Sequence, residues 1–210
     1  MKINPTRINL LNLKRELKTA ERGYKLLKDK RDGLMQTFMG IIREVKVLRE
    51  DVEAELGDAF KSYTLASAFM DDTAIDRAFM LPNAKLSLEV KEKTLMSVPI
   101  PEMKIKKEGT LFAYGLLETS GALDGAIEKL DRLFPKLIKL AELEKTVENL
   151  AIEIERTRRR ASALENTRIP NIKEAIRFIT LRLEEQARDA VVGAMRIKAM
   201  ILEKEAQLAK

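Results

Sequence analysis

A heptad seam near the N-terminus sets what this chain can fold into. Leu10, Leu13, Leu17, Ala20, Tyr24, Leu27, Arg31, Leu34, Phe38, Ile41, Val45, Leu48 and Val52 follow one another at alternating steps of three and four. Twelve of these thirteen positions are apolar, Arg31 being the exception. An apolar repeat of 3.5 held for so many turns needs a second helix wound with it in a left-handed supercoil. No proline falls between Pro5 and Pro82. Asn4-Pro5 reads as the helix start, with Asn as cap and Pro at the first helical position, where a missing N–H costs nothing. A helix from about Asn4 to Met80 measures roughly 110 Å at 1.5 Å per residue. One globule of 210 residues cannot enclose it.

A second seam lies in the C-terminal part: Leu140, Leu143, Val147, Leu150, Ile154, Thr157, Ala161 and Leu164, resuming at Ile172, Ile176, Ile179 and Leu183. The steps from Leu164 through Arg168 to Ile172 are four and four, the spacing of a stutter. Pro170 sits in that stretch and predicts a bend, and Pro135 marks a second one. After Leu183 the seam thins to Ala190, Gly193, Ile197 and Met200. Two long seams at opposite ends of a chain pair most simply with each other, antiparallel; a parallel homodimer also satisfies the pattern. The intramolecular hairpin is the reading adopted, with Leu13 expected near Ile197. The fold class is therefore mainly α, a long antiparallel two-helix left-handed coiled coil with a different middle.

That middle, Leu81 to Thr119, breaks the helical period with Pro82, Pro99, Pro101, Gly109 and Gly115. Leu86, Leu88 and Val90 alternate with polar residues, and Met96, Val98 and Ile100 do so again, around the polar stretch Lys91–Lys93. Period-two alternation reads as a small β-hairpin, with an irregular loop as the alternative. The expected divisions are an N-terminal shaft helix over 1–80, a connector over 81–119 and a C-terminal shaft helix over 120–210.

Composition excludes much chemistry. The chain has no Cys, His or Trp. That removes disulfides, thiolate and imidazole metal sites, and every Ser-His or Cys-His arrangement. Neither a GxxxxGK[ST] loop nor GxGxxG occurs. Asp71 and Asp72 are adjacent, so on a helix they diverge by about 100°. Glu142 and Glu144 read as surface charge, while Tyr24, Phe38 and Phe178 read as core. No catalytic, cofactor or metal residue is expected, and no enzyme activity of the chain's own. No apolar run reaches the roughly 18 residues of a membrane span, and residues 1–10 lack the apolar core of a secretory signal.

The net charge of +6 is unevenly placed. Residues 1–49 and 156–210 together carry +14, and residues 50–155 carry −8. Folded as a hairpin, the two termini share the basic half. The densest basic cluster is Arg156, Arg158, Arg159 and Arg160, of which the last three fall between the seam positions Thr157 and Ala161. Such a cluster is either a contact for an acidic partner or a solvated coiled-coil flank. Lys25, Lys28, Arg158, Arg159 and Arg160 are the contact candidates. Read from residues alone, the chain is also compatible with a coiled-coil scaffold or tether, or with a basic coiled coil that binds nucleic acid. An acidic hinge half argues against the latter, because it repels a duplex lying along the coil.

Several strings resemble one family. Asn4-Pro5-Thr6-Arg7, the run Arg22 to Lys30 (Arg-Gly-Tyr-Lys-Leu-Leu-Lys-Asp-Lys), Lys145-Thr146, the run Arg156 to Glu165 (Arg-Thr-Arg-Arg-Arg-Ala-Ser-Ala-Leu-Glu) and Ile169-Pro170 are similar, in order and spacing, to the D subunits of V-type (archaeal/vacuolar-type) ATPases. The resemblance covers nearly the whole chain. It implies a non-catalytic rotor in the central stalk, whose paired terminal helices enter the catalytic and regulatory head subunits. It implies binding to a small companion, the F subunit of the central stalk, and seating on a funnel-like socket above the membrane ion ring. Torque then passes between head and ring. The implied location is cytoplasmic and peripheral to the membrane, without insertion, nucleic acid or cofactor. The resemblance also implies a short β-hairpin in the middle segment.

Overall fold

The computed structural model describes residues 4–80, 84–110, 112, 114–115 and 119–208. Pro82, the first connector proline, lies outside them. The described residues are mainly helical. A long helix α1 (Arg7–Ala68) is followed by a short α2 (Asp72–Phe79), then strands β1 (Lys85–Leu95) and β2 (Val98–Glu108). Helix α3 (Gly121–Ala163), a π-helical turn (Leu164–Arg168) and α4 (Ile169–Leu208) complete the order.

The ends of these helices have local causes. Thr6, rather than Asn4, caps α1: its Oγ1 accepts from the Asn9 N–H at 3.3 Å, and the Asn9 side-chain amide donates to the Asn4 carbonyl at 2.8 Å. Pro5 therefore precedes the cap instead of opening the helix. The expected single helix to Met80 stops at Ala68. Phe69 and Met70 donate three residues back, to Ala66 and Ser67. Asp71, with extended backbone, then starts α2. Ser120 caps α3, its Oγ accepting from the Ala122 N–H at 3.2 Å.

The chain forms two compact units, one of residues 32–155 and one of residues up to Arg31 together with Arg156 onward. In the first, α1 and α3 pair antiparallel: Arg49 bonds Glu144, Glu55 bonds Lys136, and Lys129 donates to the Ser62 hydroxyl at 2.6 Å. As one number rises the other falls. In the second, Glu16 pairs with Arg168 and Glu21 with Lys173, the latter at 3.3 Å. Tyr24 also bonds Glu165, so from Glu21 to Tyr24 the partner falls back from Lys173 to Glu165, the same antiparallel sense. The two terminal helical stretches thus pair within one chain.

Both seams are where the heptads put them. All thirteen positions from Leu10 to Val52 are buried or half-buried, as are the twelve from Leu140 to Leu164 and from Ile172 to Leu183. Leu34, Leu150 and Ile179 are fully enclosed. Each such leucine contributes on the order of 1.5–3 kcal/mol relative to an exposed one. The α1 seam continues past Val52 through Ala59 and Ala66, both buried. Phe178 departs from the expected core: it is 47% exposed, with the Arg182 guanidinium 6.0 Å from its ring centroid. Its neighbour Ile179 takes the seam instead.

The stutter becomes a π turn. The Ile169 N–H donates to the Leu164 carbonyl, five residues back. Pro170 has no N–H for the Asn166 carbonyl, and its ring would collide with it in a regular helix; one wide turn moves that carbonyl aside and keeps Leu164 and Ile172 on the same face. Pro135 is accommodated inside α3 without ending it. The expectation that Leu13 meets Ile197 does not hold. Together with Tyr24–Glu165, the Glu16–Arg168 and Glu21–Lys173 pairs set Leu13 against the first turns of α4. Between Glu184 and Leu202 only Gly193 is not exposed, and Ile197 is 57% exposed. Helix α4 runs on past the start of α1, so no described part of the chain lies opposite it.

The middle segment is a two-stranded antiparallel hairpin in unbroken register from Lys85↔Glu108 to Leu95↔Val98. Lys91–Lys93, at the centre of the alternation, lie inside β1; the turn is Met96-Ser97. Both turn residues have positive φ, 50° and 69°, the two-residue geometry that matches strand twist. Without glycine each costs about 1–2 kcal/mol. Packing offsets the cost: a Cβ on Gly33 of α1 would stand only 3.0 Å from the Met96 methyl, and Val98 joins Leu34, Leu150 and Ile154 in one buried cluster flanked by Phe38 and Ile41. The chain leaves β2 through Gly109, whose φ of 92° suits glycine.

Candidate functional site

The five basic candidates lie in the unit made by the two chain ends. Lys25 and Lys28 are on α1, Arg158, Arg159 and Arg160 on α3, and all are exposed. Thr157 and Ala161, their seam neighbours, are buried at 2% and 5%. The heptad thus drives the three arginines outward. Tyr24 donates a hydrogen bond to Glu165 across the pair, which lifts the Tyr24 pKa above its usual value. One turn on from Tyr24 is Lys28, and one turn back from Glu165 is Ala161. The register therefore brings Lys25 and Lys28 level with the arginine run. This unit carries +13 and the unit of residues 32–155 carries −7.

The hairpin has its own attachments in the acidic unit. The Met103 N–H donates to Glu142 at 2.9 Å, and the Asn149 side-chain amide donates to the Pro99 carbonyl at 2.9 Å. Lys107 pairs with Asp131 at 2.6 Å. Partial burial raises the Glu142 pKa, but hydrogen bonds from Lys139 and the Met103 N–H outweigh it, and the net shift is downward. Glu102 is also held below the usual carboxylate value, chiefly by Lys93 at 2.9 Å. Glu142, read from sequence as surface charge, is thus a strand anchor. Nothing in the sequence marks it, because its partner is a backbone amide 39 residues away.

The arrangement offers surfaces rather than a reaction centre. Among the described residues no three acidic side chains gather as a metal site, and no helix is long and apolar enough to cross a membrane. The family model described as the ATP synthase D subunit matches residues 9–199. The chain belongs to that family. The protein named as the V-type ATP synthase D subunit in Clostridium botulinum is 45% identical, over 99% of this chain and 99% of the relative. The one of the same name in Fusobacterium nucleatum is 46% identical, over 96% and 97%. The one in a Thermoanaerobacter species is 45% identical, over 95% and 97%. Membership makes this chain a central-stalk component of a multisubunit V-type ATPase. Its paired terminal helices and the hairpin between them are what the resemblance implied.

Proposed function

We propose that this protein is the non-catalytic rotor of its complex, carrying torque between the ATP-hydrolysing or ATP-synthesising head and the ion-translocating ring in the membrane. The basic unit enters the head, where Lys25, Lys28, Arg158, Arg159 and Arg160 meet acidic or polar loops of the catalytic and regulatory subunits. The acidic unit takes the small F subunit and the funnel-like socket. The rotor works at the cytoplasmic face, peripheral to the membrane, and binds no nucleic acid. The observation that carries this reading is the segregation of charge, +13 in the unit of the chain ends against −7 in the other. A charge-polarised protein selects which partner meets which part.

A rotor must leave each equivalent position as easily as it enters, so tight stereospecific pairs would trap it. Several exposed charge contacts, each worth about 0.2–1 kcal/mol, meet that need. One neutralised arginine should change little. Replacing Arg158, Arg159 and Arg160 together by Gln should slow assembly with the head, and more at low salt than at high salt. Assembly of the triple variant at the wild-type rate at low ionic strength would show these arginines to be a solvated flank.

A further inference from the structure

We infer that the outer edge of β1 docks an extended strand of a partner protein in the complex, one that alternates apolar with acidic side chains. The hairpin's two edges are treated differently. The two-residue turn makes Leu95↔Val98 and every second pair from it the hydrogen-bonded ones. On β2 this points the backbone of Pro99, Pro101, Met103, Ile105 and Lys107 away from β1. Two of these are prolines, with no N–H to leave unpaired, and Asn149 and Glu142 of α3 bond the backbone of Pro99 and Met103. That edge is closed from Pro99 to Met103. On β1 the outward backbone belongs to Leu86, Leu88, Val90, Glu92 and Thr94. It has no proline, no bulge and no hydrogen-bond partner among the described residues.

An unguarded edge of this length presents donors and acceptors at strand spacing, which only another extended backbone matches throughout. The side chains define the occupant. Leu86, Leu88 and Val90 are 46–55% exposed on one face. That face continues into a groove of about 470 Å³ walled by Leu86, Met103, Ile105, Phe134, Pro135 and Ile138. Apolar residues of an added strand would extend this layer. On the opposite face β1 carries Lys85, Lys91 and Lys93 against the single Glu89. Glu89 is already paired with Lys106 and Lys93 with Glu102. Lys85 has no ionic partner among the described residues. The surplus is positive, so an acidic strand is matched and a second copy of β1 brings like charge. The inference needs only membership in a multisubunit complex, and it stands apart from torque transmission.

Residue-resolved amide hydrogen exchange on the free full-length chain and on the purified, assembled ATPase tests it. Ser87, Glu89, Lys91 and Lys93 donate to β2 and should exchange slowly in both. The amides of Leu86, Leu88, Val90, Glu92 and Thr94 should exchange fast in the free chain. In the complex at least three consecutive members of that set should slow by on the order of tenfold or more. Fewer slowed amides, or none, overturns the proposal. Slowing in the free chain that grows with concentration overturns it too, since a second copy then occupies the edge. Val90→Pro removes one outward N–H, as Pro99 and Pro101 do on β2. In the complex it should restore fast exchange at Leu88 and Glu92 while Glu89 stays slow; continued protection of Leu88 and Glu92 rejects strand pairing.

Discussion

Replacing Leu150 by alanine tests whether the hairpin and the two helices share one core. Leu150 is fully enclosed, in a cluster with Leu34 of α1, Val98 of β2 and Ile154 of α3. The change removes three side-chain carbons, about 2.4 kcal/mol at roughly 0.8 kcal/mol per buried methylene. A residual cavity adds to this, because three elements converge there and cannot all collapse inward. The total should be about 3–4 kcal/mol, within the range seen for buried leucines. With a urea dependence of roughly 2 kcal/mol per molar, the midpoint should fall by about 1.5–2 M. Val47→Ala, at a 61% exposed position of α1, is the control and should cost under about 0.5 kcal/mol. Urea titration followed by circular dichroism measures both. A Leu150→Ala loss no larger than that of the control would refute the shared core and, with it, the idea that Val98 seats the hairpin on the helices.

Other outcomes follow from individual contacts. Gly33→Ala gains about 0.8–1 kcal/mol of helix propensity but crowds the Met96 methyl; it should be near neutral alone and stabilising by about 1 kcal/mol in a Met96→Ala background, and a thermal-melt double-mutant cycle without that coupling would separate Met96 from Gly33. Glu142 releases its proton more readily folded than unfolded, so its contribution is complete above its ordinary pKa of 4.5 and is lost as pH falls through the lower folded value. Wild type and Glu142→Gln should therefore differ most in denaturation midpoint above the ordinary pKa of 4.5, with the difference shrinking as pH falls below it; a constant difference would deny the linkage. A zero-length carbodiimide should join Lys173 to Glu21 and Lys107 to Asp131 within one chain, with Lys198 joined to no α1 carboxylate, as read by peptide mass spectrometry. Cross-links between Lys198 and the first turns of α1 would restore the register in which Leu13 meets Ile197.

The seams, the break in period between them and the outward direction of Arg158, Arg159 and Arg160 were all legible in the linear pattern. A 3.5 repeat states which side chains leave water whatever the partner helix is, and period two states the same for a strand. Absence of Cys and His likewise needs no fold to exclude the chemistry that depends on them. Register is a different matter. It depends on pairwise fits such as Glu16 with Arg168 and on the extra residue taken up at Leu164–Arg168, and a heptad pattern repeats identically when one helix slides by seven. Hence the linear pattern set Leu13 against Ile197, whereas the folded chain leaves Ile197 exposed. The turn at Met96-Ser97 was hidden for a related reason: neither residue favours positive φ, and only contact with Gly33 and the Leu34–Leu150 cluster makes that conformation worthwhile. Glu142 and Asn149 look like any surface residues of a coiled coil until β2 lies beside them. Tertiary structure alone decides which backbone groups are left facing solvent, and so which strand edge is closed and which is open.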